Sequence, residues 1–232
     1  MGRKKALVVG ALGVIGRRLI QHLEETGGWD IFYTAFQARP VWAEHDAPNL
    51  AMLVNAVEPV AAVSPVLEHV QLMEGNKIYG SHLGPFRTPA REEDPPHMLP
   101  NFYHTQESWL RAAQEGQRWT WSALRPHTVC GFAVGNPMNI TTCIAVYATI
   151  SKELGLPLRF PGKPGAYEAV YQVTDSALLA RSMVWAATAG SAQNEVFNIT
   201  NGDFFRWKNI WPRFAEFFEM EPGDVQTIPL TE

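Results

Sequence analysis

The stretch Ala6-Leu7-Val8-Val9-Gly10-Ala11-Leu12-Gly13-Val14-Ile15-Gly16 decides the fold. Its first four residues form an apolar run stopped at once by glycine, which reads as a buried strand of a parallel sheet. Leu12, Ile15, Leu19, Ile20 and Leu23 then recur at spacings of three and four, one face of a helix. Gly10, Gly13 and Gly16 therefore sit where a strand turns sharply into a helix. Side chains there would keep a phosphate from the backbone N–H groups and from the positive end of the helix dipole. A plain tight turn is the alternative that three glycines alone leave open. Their place after the first strand and at the opening of the first helix favours a pyrophosphate site.

The 232 residues are enough for one large domain. With 46% hydrophobic and 18% charged residues, the chain can pack a core and is not generally disordered. A formal net charge of −4, with no basic cluster beyond Arg3–Lys5, argues against nucleic acid and anionic membranes as partners. The start, MGRKKALVVG, runs directly into the strand and reads as lacking a secretory signal. The longest apolar stretch, around Ile140–Ile150, is too short and too threonine-rich to span a bilayer. Cys130 and Cys143 have neither metal-ligand spacing nor a catalytic partner in sequence. They read as free thiols of a cytoplasmic protein, and no metal site is expected.

Along the chain, the first helix should run to about Glu25 and close at Thr26, Gly27 and Gly28. Trp29–Phe36 reads as a strand, Pro40–His45 as a polar connection, and Leu50–Val66 as a helix interrupted by Pro59 and Pro65. Val70–Met73 is a further strand. Residues 80–100 hold five prolines and the acidic run Glu92–Asp94, a long surface excursion of the kind that is usually functional. Then come a helix over Tyr103–Gln114, a strand over Thr120–Leu124 ended by Arg125-Pro126, and the most amphipathic helix over Asn139–Glu153. A Gly/Pro loop (Pro161–Gly165), a strand near Ala169–Val173, a helix from Thr174 or Asp175 to about Ala187, a strand over Val196–Thr200 and a helix over Trp207–Phe218 complete the pattern. Strands alternating with helices indicate an α/β class with a mainly parallel sheet. Trp185, Trp207 and Trp211 fall at helical positions and read as core or interface.

Several motifs occur together: Gly75-Asn76-Lys77-Ile78-Tyr79-Gly80, Gly84-Pro85-Phe86, Asn101-Phe102-Tyr103, Ser122-Ala123-Leu124-Arg125-Pro126, the run Asn194–Asp203, and Trp207-Lys208. With them the chain resembles the progesterone 5-beta-reductase/iridoid synthase group of atypical extended short-chain dehydrogenases. G-x-x-G-x-x-G is the short-chain-dehydrogenase form of the dinucleotide fingerprint. The resemblance implies a Rossmann-type, doubly wound parallel sheet with a small C-terminal substrate-binding part. One domain would span 1–232, with substrate elements mainly in 80–100, 132–170 and 200–232. The match is interrupted between Asp30 and Ile31. There the family has a strand and loop that read the adenosine ribose or its phosphate, then another strand and helix; here the flanking strands look joined directly. A Rossmann half needs two crossovers of about a dozen residues or more, and this chain has room for one. Either the segment is deleted in this protein or residues are missing from the sequence at this junction; a truncated sheet exposes apolar edges, which favours the second. The chain also ends before the family's usual C-terminal lid.

No tyrosine has a lysine four residues on; Tyr103 is followed by His104, Thr105, Gln106 and Glu107. In the family the lysine comes instead from the Gly-x-Lys motif, matched by Lys77, and works with the tyrosine matched by Tyr103. The expected chemistry is that the Lys77 cation lowers the pKa of the Tyr103 phenol. Taken singly, a solvated lysine and a packed aromatic are the simpler readings; the surrounding motifs favour the catalytic one. His104 stands where the family often has a second tyrosine and reads as a surface residue. The cofactor site is expected at Gly10, Gly13, Val14, Ile15, Gly16, Thr34, Ala35, Lys77, Tyr103, Pro126 and Val129. Phe36 and Phe86 are expected to face the substrate.

What the resemblance implies is an NADPH-dependent reductase of activated alkenes, carrying hydride from nicotinamide C4 to the β-carbon of an enone or enal. The partner is then a small molecule, with a homodimer possible through the Asn139–Glu153 helix. NADP(H) is expected over NAD(H) on the resemblance alone, because the loop that would carry the phosphate-reading cation is the interrupted part. Two alternatives share the fold: a dinucleotide-binding sensor or scaffold without turnover, and a nucleotide-sugar epimerase or dehydratase, which normally keeps Tyr-x-x-x-Lys.

Overall fold

Five short runs of mainly apolar residues build one parallel sheet in a computed structural model that describes residues 5–26, 30–133 and 139–227. The strands are β1 (Ala6–Val9), β2 (Asp30–Tyr33), β3 (His69–Met73), β4 (Thr120–Pro126) and β5 (Glu195–Ile199), side by side in that order. Leu7 pairs with Ile31, Ile31 with Val70, Leu72 with Ala123, and Leu124 with Phe197. Seven helices follow the chain: α1 (Val14–Thr26), α2 (Asp46–Val63), α3 (Phe102–Gln114), α4 (Ile140–Glu153), α5 (Pro164–Glu168), α6 (Ser176–Thr188) and α7 (Trp207–Phe217).

Successive strand residues point to opposite faces, so each strand feeds two cores. Ile31, Tyr33, Val70 and Leu72 pack with Leu53 and Val57 of α2 and Leu110 of α3. Phe32, Met73 and Leu124 pack on the other face with Leu19 of α1 and Leu179 and Met183 of α6. The sheet is thus covered on both faces, as expected. A third core, built from Ala148, Leu158, Phe160, Trp207, Trp211 and Ala215, forms the small C-terminal part. There the Trp211 indole N–H donates to the Leu158 carbonyl at 3.1 Å. Trp207 and Trp211 are core, whereas Trp185 is 45% exposed.

The strand order runs one way from β1, so β1 is an edge strand with Leu7 exposed at 45%. The steps β1 to β2 and β2 to β3 go in the same direction, while α1 and α2 cover opposite faces. These two crossovers therefore have opposite hands, and one of them belongs to the roughly 2% of such connections that are left-handed. Asp30 and Ile31, which flank the interrupted match, are neighbours within β2. The opposite edge, β5, is covered. Asn198 on β5 donates its backbone N–H to the Glu92 carboxylate at 2.7 Å and its side-chain amide to the Ala90 carbonyl at 3.3 Å. The proline-rich excursion is therefore a strap along that edge.

The expected elements all form, with shifted ends. Helix α2 begins earlier, at Asp46, and runs through Pro59. Burial of Leu53 and Val57 offsets the one hydrogen bond Pro59 cannot make, and the helix stops at Ser64, before Pro65. The Pro161–Gly165 loop already contains the start of α5 at Pro164. Gly27, Gly28 and Trp29, expected to end the first helix and open the next strand, lie outside the described residues.

Candidate active site

The turn after β1 closes only because two side chains are absent, at Gly10 and Gly16. Gly10 has φ +90°, and a Cβ there would lie 2.7 Å from the Thr34 hydroxyl oxygen; a Cβ on Gly16 would overlap the Gly10 carbonyl oxygen. Thr34 in turn donates to the Val9 carbonyl at 2.8 Å, locking the end of β2 to the end of β1. Gly13 N–H bonds back to the Gly10 carbonyl at 3.1 Å and Arg17 N–H to that of Gly13 at 3.0 Å, so the helix starts within the turn. The free N–H groups of that first turn face a cleft of about 620 Å³. Gly10, Gly13, Val14, Ile15, Gly16, Thr34 and Ala35 all line it, together with Phe36, Trp42, Glu74, Lys77, Phe102 and Tyr103.

Lys77 and Tyr103 come from separate elements that one buried amide holds together. Asn101, 1% exposed, caps α3 by accepting from the Tyr103 N–H at 3.2 Å and donates to the Lys77 carbonyl at 3.1 Å. Helix α3 is fixed further by Thr105 donating to Asp46 at 2.6 Å and Gln106 donating to the Asn49 carbonyl at 2.8 Å. Gly75 lets the tyrosine approach, since a Cβ there would lie 3.3 Å from the phenol oxygen.

The expected tuning of Tyr103 by Lys77 is not what the electrostatics give. Burial, reinforced by the nearby Glu74 charge, raises the Tyr103 phenol well above its ordinary value. Burial also lowers the Lys77 pKa, and its ammonium lies 5.4 Å from the centre of the Trp42 ring. Tyr103 therefore stays protonated at neutral pH, the state needed to donate a hydrogen bond or a proton.

Glu74, absent from the sequence expectations, lines the same cleft. One of its carboxylate oxygens accepts from Arg125 Nε at 2.7 Å, while the other is buried without a partner. Arg125 is shared: it also donates to Tyr79 at 3.0 Å, to the Glu92 carbonyl at 3.1 Å and to Glu107 at 2.7 Å. Complete burial pushes the Glu74 carboxyl up to about 8, against the partial opposing pull of Arg125. Glu107, four residues after Tyr103 where a standard reductase has lysine, is spent on Arg125 and Arg111.

Phe36 lines the cleft as expected, beside stacked aromatics: His45 at 5.3 Å and Phe102 at 5.4 Å between ring centres. Its segment is pinned by the buried Asn49, which accepts from the Gln37 N–H at 2.8 Å and donates to the Gln37 carbonyl at 2.9 Å. Trp42, missed in the sequence, completes this wall. Three expected residues do not line the cleft. Pro126 offers only its carbonyl beneath Gly75, Val129 packs in the core under α6, and Phe86 sits on the strap. No cleft-lining residue comes from 80–100, 132–170 or 200–232 among the described residues. His104 is not on the surface but half-buried, with Nε2 unpartnered.

Comparison with known proteins agrees with this geometry. The sequence profile of the PRISE-like Rossmann-fold domain matches residues 6–226. An (S)-8-oxocitronellyl enol synthase of Nepeta racemosa is 36% identical over 84% of this chain and 51% of its own length. A 3-oxo-Delta(4,5)-steroid 5-beta-reductase of Arabidopsis thaliana is 37% identical over 82% of this chain and 51% of its own length. The chain thus spans about half the length of these curated relatives. Among solved structures, a Thermus thermophilus UDP-glucose 4-epimerase complexed with NAD superposes with a TM-score of 0.70 at 18% identity, covering 97% of this chain and 91% of that one. RMD from Pseudomonas aeruginosa complexed with NADPH superposes with a TM-score of 0.75 at 16% identity, covering 96% and 86%. These likenesses establish the Rossmann fold.

The state of Glu74 has a stability consequence. Its folded value of about 8 lies above the ordinary 4.5, so between those values the folded protein holds a proton that the unfolded chain has released. That contribution to stability falls as pH rises through this window. Glutamine cannot ionise, so Glu74→Gln should lose less melting temperature than the parent between pH 5 and pH 8. Melting curves that fall in parallel would show that Glu74 is ionised throughout.

Proposed function

Because this chain belongs to the family of PRISE-like Rossmann-fold domains, we propose that it reduces the C=C bond of enones or enals with a reduced nicotinamide cofactor. The observation that carries this reading is that one cleft joins the glycine turn to Lys77 and Tyr103, both tied to Asn101. The cofactor fits this chain in part. Gly10 and Gly16 leave room that a Cβ would fill, and the helix N-terminus behind them suits a phosphate. Lys77 and Tyr103 stand where the nicotinamide end would be held. Bound there, a reduced nicotinamide supplies the hydride. NADPH over NADH, favoured by the resemblance, has no cation to support it in the cleft apart from Lys77, among the described residues.

The chain's own residues carry the rest. Phe36, Trp42 and Phe102 offer flat apolar faces against which a conjugated substrate can lie. As hydride adds at the β-carbon, the C=C pair shifts to join the α-carbon to the carbonyl carbon, and the C=O π pair moves onto oxygen to give the enolate. The protonated Tyr103 hydroxyl donates a hydrogen bond to that oxygen and stabilises the enolate. A proton from Tyr103 or from water completes the saturated carbonyl product. Lys77 places a positive charge at the same end of the cleft, steadied by the Trp42 ring. With no lysine after Tyr103 and Glu107 bound to Arg125, the epimerase-type constellation is not the one these residues form.

Purified protein given NADPH and 2-cyclohexen-1-one should consume the cofactor and release cyclohexanone. An allylic alcohol as sole product would place the chain among carbonyl reductases, and saturable binding without turnover would make it a binding module.

The two site residues should fail differently. Tyr103→Phe removes one oxyanion donor, which typically costs on the order of 10²–10³ in rate, and should lower kcat with little change in cofactor affinity. Lys77→Ala should damage both kcat and the KM for the cofactor. Full kcat in Tyr103→Phe across several enones would show that the donor is another group.

A further inference from the structure

We propose that this chain recognises only the nicotinamide–ribose–phosphate half of its cofactor, so that the reduced mononucleotide of nicotinamide binds nearly as well as the dinucleotide. The proposal rests on the reading of the cleft as a nicotinamide site. In open α/β sheets a dinucleotide lies across the crevice where the strand order reverses, one half on each side. Here the order never reverses: among the described residues β1 is the end of the sheet, and the other four strands of that sheet lie on the β2 side. Half the crevice is present.

The lining follows this asymmetry. It comes from the turn after β1, from the residues following β2, from the end of β3 and from the start of α3, all of them on one side of β1. On the other side β1 has no neighbouring strand among the described residues, and Leu7 is exposed at 45%. The chemistry fails there as well. A dinucleotide fold presents an acid about 20 residues beyond its glycines for the ribose 2′-hydroxyl, or a nearby arginine for a 2′-phosphate. In this chain that distance from Gly16 ends at Thr34-Ala35-Phe36, which Thr34 ties to β1 on the nicotinamide side. The one cation lining the cleft among the described residues is Lys77, beyond β3. Adenosine attached through the pyrophosphate would therefore project past β1 into solvent, where neither its base nor a 2′-phosphate gains much. Arg17 and Arg18 near the start of α1 and Arg39 after β2 are described cations, and none of the three lines the cleft.

Isothermal titration of the full chain with four compounds tests this without needing turnover: NADPH, NADH, reduced nicotinamide mononucleotide, and 2′-phospho-ADP-ribose, which carries the adenosine half alone. NADPH and NADH should agree within about threefold in Kd and the mononucleotide should bind within about tenfold of them, differences of roughly 0.7 and 1.4 kcal/mol. NADPH should displace the bound mononucleotide, and 2′-phospho-ADP-ribose should bind more than about 100-fold more weakly. A mononucleotide more than about 100-fold weaker than NADPH, or an adenosine half that binds comparably to the whole, overturns the proposal while leaving the nicotinamide reading intact. Arginine 17 acting on the 2′-phosphate would appear as strong preference for NADPH over NADH, abolished in Arg17→Ala, and also overturns it. Failure of all three nicotinamide compounds to bind overturns the nicotinamide reading itself, and binding with the expected ranking but no enone turnover removes only the reductase activity.

Discussion

A single guanidinium organises the floor of the site. Arg125, on β4 and 5% exposed, donates to the Glu74 carboxylate at the end of β3, the Tyr79 hydroxyl, the Glu92 carbonyl in the strap and the Glu107 carboxylate on α3. Tyr79 passes the link on, donating to Asn198 of β5 at 2.8 Å. Five segments are thereby fixed around one charge, behind the turn after β3 that carries Lys77 and the start of α3 that carries Tyr103. A buried cation left without partners costs several kcal/mol, so each segment is held where its acceptor is needed. A buried ion pair is weak evidence for stability. The constraint is geometric: the two carboxyl groups and the strap cannot move independently.

The same dry site explains why Tyr103 does not behave as a lysine-activated phenol. Burial is the main cause: taking the hydroxyl out of water disfavours its anion, and the buried Glu74 carboxyl, itself protonated up to about 8, adds to this only once it ionises. For an oxidation that would be a handicap. For a reduction it is an advantage, because the enolate oxygen needs a donor, and a neutral phenol is one.

Local features of this design were legible in the sequence. The glycine turn was, because closure of β1 onto α1 is set by residues only a few positions apart. So were the alternation of strands and helices and the cleft positions of Lys77, Tyr103, Phe36, Thr34 and Ala35. The unread part depends on contacts between distant residues: Glu74 with Arg125 across 51 positions, and Asn198 with Glu92 across 106. Arg125 read as the end of a strand and Glu107 as an ordinary helical acid, since neither advertises its partner locally. Asn101 carried a signal, a capping residue ahead of a helix, but its second bond to the Lys77 carbonyl did not. The one-way strand order was foreshadowed by the direct joining of strands at Asp30–Ile31, whose result is an open β1 edge and a crossover of uncommon hand.

The central claim is that this cleft places hydride on the β-carbon of a conjugated carbonyl while the residues at Tyr103 and Lys77 receive charge at the oxygen. Reduction of 2-cyclohexen-1-one with cofactor deuterated at nicotinamide C4, followed by NMR of the product, tests it most directly. The account predicts deuterium at C3 of cyclohexanone. Deuterium at the carbonyl carbon of an allylic alcohol would contradict it.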